Sequence, residues 1–285
     1  MRIAQAAEAI EGHERLALGE LRALLRSDER FVRVHAAESL VEFGEPEDAY
    51  KTFLKEWKLH RDTPAYRVVV MRVLNRASRN NEERVQWMQR IRDVFLDESQ
   101  PDRLHASECL AKLHYPVDDS EVSAFERAAL SDQPGIAVYA NWILAAAGRG
   151  SRDGALFAYL RHSDPVGRYT AAYAFRHRAH VPPEIYKQLL KSAREEIAGT
   201  LPRAYTLSAS YVLAPDDSTR NALRHDMIET ANHGNKDEAR EICAAFAARG
   251  TASELPVLLP LMKHENADIR EAAARAVVCI ARRNQ

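Results

Sequence analysis

The segment "VRVHAAESLVEFG" at 32–44 is nearly restated as "DRLHASECLAKLH" at 102–114, and this recurrence constrains the fold more than any other feature of the chain. Anchored on Leu40, equivalent helical positions fall at Leu74, Leu110, Leu144, Phe175, Ser210, Phe246 and Val277, at intervals of 34, 36, 34, 31, 35, 36 and 31. A near-constant period carried by paired helical patterns, without strand alternation, marks a helical repeat array. The expected fold is all-α: a right-handed α-solenoid, or α-α superhelix, of about eight helix pairs forming one domain over 1–285, with edge helices capping the core at both termini.

Each pair reads as a first helix, a short turn, a capped second helix and a stop. "SDER" at 27–30, "SDQP" at 131–134 and "HSDP" at 162–165 place Ser or Asp where an N-cap belongs, and Pro165 fits a first helical turn. Gly44, Gly148 and Gly250 follow helical runs, where a left-handed C-cap is expected. In the second helix, Ala37, Leu40, Val41 and Gly44 share one face at helical periodicity. Small residues at Ala36, Ala37, Ala106, Ala140, Ala171 and Ala273 permit close helix approach. One pair cannot bury such a face alone, so stacking makes the core.

Composition narrows the function classes. With 40 basic and 41 acidic residues the formal charge is -1, so no global field draws the chain to nucleic acid or an anionic membrane. Glu8, Glu11, Glu14 and Glu20 interrupt the apolar run that a signal peptide needs, and no stretch reaches the length of a membrane span. Cys109, Cys243 and Cys279 stand far apart and are odd in number, which points to a reducing, cytoplasmic setting rather than a disulfide framework.

Segments such as "SDERFVRVHAAESLVEFG", "SDPVGRYTAAYAF" and "HENADIREAAARAVVCIA" resemble HEAT repeats, especially the bacterial subset similar to phycobilisome-lyase HEAT-like repeats. The resemblance spans nearly the whole chain. It implies a scaffold or adaptor for a protein partner, with a minority of enzymes and chromophore-attachment proteins among the relatives. It also implies a ladder in which an Asp in the turn pairs with an Arg at the start of the second helix. Here Arg33, Arg67, Arg103, Arg168, Arg203 and Arg270 stand seven residues before the anchor, with Arg240 one place displaced. Asp28, Asp62 and Asp164 precede three of them. The other reading of the column, a phosphate-tracking stripe for nucleic acid, fits the balanced charge less well.

Catalytic motifs find little support. His13-Glu14 and His264-Glu265 are similar to the His-Glu pairs of deoxyhypusine hydroxylase, an iron enzyme of HEAT-like build. Seven open repeats would hold them on the order of 60 Å apart or more, too far to share a metal. "GRGSRDG" at 148–154 lacks the spacing and preceding strand of a dinucleotide loop and reads as a helix stop and turn. No cofactor and no metal site is expected.

The second helices are expected to line a concave surface. Opposite their apolar faces, the middle repeats gather His105, Glu108, Tyr139, Trp142, Tyr173, His177 and Tyr205, and residues 139–211 hold ten of the twenty-one aromatics. Rings with polar tips can anchor a protein segment or stack on a bilin- or carbohydrate-type small molecule. In a catalytic version, His105 and His177 would act as acid or base, with Glu108 orienting an imidazole. The bland reading is that these rings fill grooves between adjacent helices.

Overall fold

The computed structural model describes residues 2–283 and is helical throughout, with sixteen α-helices and no strand among the described residues. They form eight consecutive pairs: α1 (Arg2–Leu24) with α2 (Arg30–Glu42), α3 (Pro46–His60) with α4 (Tyr66–Ala77), α5 (Asn81–Leu96) with α6 (Arg103–Lys112), and α7 (Val122–Ala129) with α8 (Pro134–Ala146). The series continues with α9 (Asp153–Tyr159) and α10 (Pro165–Arg176), α11 (Pro183–Glu195) and α12 (Leu201–Val212), α13 (Asp217–His233) and α14 (Lys236–Arg249), and α15 (Leu255–Leu261) and α16 (Ala267–Arg283). This is a helical solenoid built from consecutive, mutually packed helices.

Local chemistry starts and stops the helices. Asn80 caps α5 by accepting from the Glu83 N–H at 2.9 Å, and Asp216 caps α13 from the Thr219 N–H at 2.7 Å. Asn235 and Glu238 form a reciprocal capping box on α14. Proline opens α3, α8 and α11, where its missing N–H costs nothing. Gly44 and Gly148 adopt φ of +87° and +72°, as the C-cap reading requires. Gly250 does not: its φ is -66°. A Cβ there would lie 2.6 Å from the Phe246 carbonyl oxygen, so this glycine serves close approach and not a left-handed turn.

The anchor column is the core. Leu40, Leu74, Leu110, Leu144, Phe175, Ser210, Phe246 and Val277 are each at most 1% exposed. Alanines 36, 37, 106, 140, 171 and 273 are fully buried beside them.

The helices divide into two compact units. One spans Val41–Ala174; the other joins the residues up to Leu40 with those from Phe175 onward. In the first, α4, α6 and α8 pack in succession, each second helix flanked by its own first helix. In the second unit, α12, α14 and α16 stack in the same way, and α1 then packs on α16. The chain's terminal helices are therefore not two separate caps, as expected from an open array; they cover each other. Glu14 accepts from Arg282 at 2.8 Å, Glu20 from Arg270 at 2.9 Å, and Glu271 from the Ser39 hydroxyl at 2.7 Å.

This closure revises the spacing of the two His-Glu dipeptides. Glu14 meets the last turn of α16, whereas Glu265 immediately precedes its first turn. Their separation follows the length of α16, roughly 25 Å, in place of seven open repeats. That is still far beyond a shared coordination sphere, and among the described residues no three His, Cys, Asp or Glu side chains converge to hold a metal.

Candidate functional site

The unit spanning Val41–Ala174 brings five of the seven expected binding residues together. On α6, Glu108 and Lys112 are one turn apart and paired at 2.5 Å. The Lys112 ammonium lies 5.3 Å from the centre of the Tyr173 ring on α10. Tyr173 meets Trp142 of α8 edge to face, at 5.9 Å and 73°, and Trp142 lies 6.3 Å from Tyr139 at 31°. A charge pair thus runs into a ladder of three aromatic rings. His105, one turn before Glu108, contributes to its field.

Burial limits what this ladder can touch. Tyr139 is 8% and Trp142 4% exposed, because every residue of α8 from Gly135 to Leu144 is buried. The expectation that both rings line an open surface is therefore corrected: they fill space between helices. His105, Glu108 and Tyr173 remain half-buried. His177 is exposed and Tyr205 half-buried, and both belong to the other unit. The periodicity identified residues sharing a helix face, but it carried no information about what that face meets.

The electrostatics disfavour Glu108 as a proton donor. Burial opposes its charge, but Lys112, Arg72 and His105 outweigh that cost and hold its carboxyl at about 2. Arg72 is itself buried on α4, and one of its N–H groups points to the Cys109 sulfur at 3.4 Å. Cys109 is a fully buried thiol among core residues.

The other unit carries its polar groups in a network that reaches across helices. Arg176, at the end of α10, donates to Ser208 of α12 at 3.2 Å and to Glu241 of α14. One side chain therefore spans two helix steps, and the faces of these second helices converge. His35 of α2 lies 3.6 Å from Asp268 of α16, and Arg240 of α14 approaches the same imidazole at 3.4 Å. The neighbouring His35 imidazole chiefly holds Asp268 at about 2, with Arg240 and Lys236 adding to it against burial.

The arginine column serves the backbone. Arg33, Arg168 and Arg270 donate Nη1 to the carbonyls of Ser27, His162 and His264, each six residues earlier, at 2.6, 2.9 and 2.9 Å. Those carbonyls lie just past the end of the preceding helix and lack intrahelical donors. Arg103 donates to the Phe95 carbonyl at 3.0 Å and lies over the Phe95 ring. Arg67 departs from the expected pairing within its own repeat. It makes a bidentate pair with Asp102 of the next, at 2.7 and 3.0 Å, while the Asp62 side chain is 95% exposed. Asp164 accepts from the Val166 N–H at 2.8 Å as a helix cap. Asp28 is exposed, and Arg203 keeps one buried guanidinium nitrogen without a hydrogen-bond partner.

Two features escaped the sequence reading. Asp102, wholly buried, binds Arg67 close to Ala65, a non-glycine residue at φ +62°. Trp57 on α3 and Trp87 on α5 pack edge to face at 5.3 Å and 80° on the first-helix side of the repeats. Their spacing of thirty residues lies close to the repeat period, a signal carried by the first helices and absent from the second-helix columns.

These helix pairs, with buried anchors and arginine-capped turns, define the class: an all-α repeat solenoid. The HEAT repeat family model matches residues 255–283, the span of α15 and α16. No curated protein matches the chain. Among solved structures, the crystal structure of an engineered protein aligns over 92% of this chain and 98% of its own, at 17% identity and a TM-score of 0.24, a likeness too low to bear on function.

Proposed function

We propose that this protein is a non-enzymatic scaffold that holds a protein partner. The observation that carries the reading is the HEAT repeat within a solenoid of stacked pairs, an architecture that commonly mediates protein interactions. Around the half-buried cluster of His105, Glu108, Lys112 and Tyr173, the ionised Glu108 favours recognition by charge and ring contact over proton transfer. Tyr139 and Trp142 would contribute only as core beneath Tyr173. A bilin- or sugar-like ligand loses support as an alternative, since the two rings best suited to stacking are buried. Use of the arginine column by nucleic acid loses support because the guanidinium groups of Arg33, Arg67, Arg168 and Arg270 are committed to carbonyls and Asp102. We further propose one domain over 1–285, from the unbroken repeat period, and a cytoplasmic setting, from three free cysteines.

The test is affinity capture from a native extract, followed by reconstitution with each retained protein in purified form. A protein that binds the purified chain with fixed stoichiometry supports the scaffold reading. Retention of a small molecule, with no protein surviving reconstitution, overturns it.

A further inference from the structure

On the first-helix side of the unit spanning Val41–Ala174, α3 and α5 each pack on α4, and their side chains meet in a cationic, aromatic ledge. Trp57 and Trp87 are half-exposed, and the Arg90 guanidinium lies over both rings, 5.8 and 5.3 Å from their centres. Arg79, just before the N-cap of α5, lies in the same manner over Tyr50, at 4.7 Å. Both arginines are exposed, and neither side chain pairs with a carboxylate among the described residues. Lys58, exposed on α3, is likewise unpaired.

The acids nearby are already engaged. Glu56 accepts from the Tyr66 hydroxyl at 2.6 Å, and Glu83 from the Tyr50 hydroxyl at 3.1 Å. Asp93 is held by Arg92 at 2.7 Å. A cation–π contact holds a guanidinium beside its ring while leaving edge donors free, and that arrangement suits bidentate capture of a carboxylate. The ledge therefore presents two ring-anchored forks without carboxylate partners among the described residues.

We infer that this ledge docks an acidic protein segment, whose carboxylates pair with Arg79 and Arg90 while apolar side chains rest against the edges of Trp57 and Trp87. The inference rests on the scaffold reading and gives it a second surface, with a partner chemistry. The rings that seat the two guanidiniums, Tyr50 and Trp57, stand seven residues apart on α3, about 10 Å along its axis, a distance that an extended peptide covers in about three residues. Carboxylates roughly three residues apart would engage both forks. A single-stranded nucleic acid is disfavoured, because Arg90 already covers the Trp faces on which bases would stack.

The test uses the full chain and three labelled probes: a twelve-residue peptide of repeating Glu-Glu-Leu, the same peptide with Gln for every Glu, and a single-stranded oligonucleotide of twelve nucleotides. Fluorescence anisotropy at low and moderate salt reads binding, with circular dichroism as the check on folding. The expected result is that the acidic peptide binds, that the Gln peptide is at least about tenfold weaker, and that an Arg79→Gln/Arg90→Gln double variant loses at least about tenfold while Lys191→Gln/Arg194→Gln, an equal loss of exposed charge in the other unit, loses none. Failure of the acidic peptide to bind, equal binding by the double variant, or preference for the oligonucleotide overturns the inference. If a protein captured by the wild type stays bound to the double variant, the ledge is wrong and the scaffold reading stands.

Discussion

Asp102 shows most clearly how a single residue ties one repeat to the next. Its carboxylate is wholly buried and accepts two hydrogen bonds from Arg67. Burial raises its pKa, but Arg67 outweighs that and leaves the carboxyl below its usual value. A depressed carboxyl stabilises the fold above the ordinary Asp range, and the contribution is lost as pH falls through the folded value. Asp102→Ala should destabilise the protein by about 3–5 kcal/mol, since it strands a guanidinium beside a strained turn. Adding Arg67→Met should recover part of that loss. Urea unfolding at neutral pH measures both variants; no difference between Asp102→Ala and wild type would show that the pair carries no weight. Sequence spacing made the arginine column visible. It could not identify the acceptors, because a carbonyl is present at every position and the Asp that matters lies a full repeat away from its partner.

At the scale of the element, helical periodicity was enough to find the core, and its limit explains the misplaced site. All eight anchor positions are buried, because the inward stripe of each second helix meets its own pair and its neighbours whatever the curvature. The opposite stripe depends on curvature, and no single helix encodes it. Trp142 and Tyr139 stand on that stripe and are buried within α8. Trp142→Ala should therefore act on stability, at about 3–5 kcal/mol, and on partner binding only through loss of fold. Thermal unfolding beside a binding measurement separates the two; loss of binding with an unchanged transition would restore Trp142 as a contact residue. Two glycines give a second contrast. Gly44→Ala meets open space and is penalised only by its φ of +87°, about 1 kcal/mol. Gly250→Ala has an ordinary φ but drives a Cβ to 2.6 Å from the Phe246 carbonyl oxygen and 3.1 Å from Ile280, so it should cost about 1–3 kcal/mol. Equal costs would mean that backbone shift relieves the close contact.

At the scale of the whole molecule, the chain ends lie within one unit, and nothing in the sequence near either end announces it. The matching charges, Glu14 with Arg282 and Glu20 with Arg270, are separated by about the full chain length and resemble any exposed ion pairs. They are also the weaker part of the seam, at no more than about 1 kcal/mol each. Apolar contact does more. On α1, Ala17 and Leu21 are fully buried and Leu24 is 4% exposed, and burying each leucine is worth about 1.5–3 kcal/mol. Beside them Asp268, held at about 2 chiefly by His35, contributes stability that is complete above its ordinary range near pH 4 and fades as pH falls toward 2. Removing residues 1–26 should thus release α16 while sparing the unit spanning Val41–Ala174, which has its own core. Hydrogen exchange distinguishes this from a general loss of stability. Amides of α16 should exchange in the truncated chain at least about a hundredfold faster than in the intact one, as expected for some 3 kcal/mol of lost local protection, while those of α4 and α8 keep their rates. Uniform acceleration across all three helices would mean that the two units unfold as one; unchanged protection in α16 would mean that α1 rests on the last repeat without stabilising it.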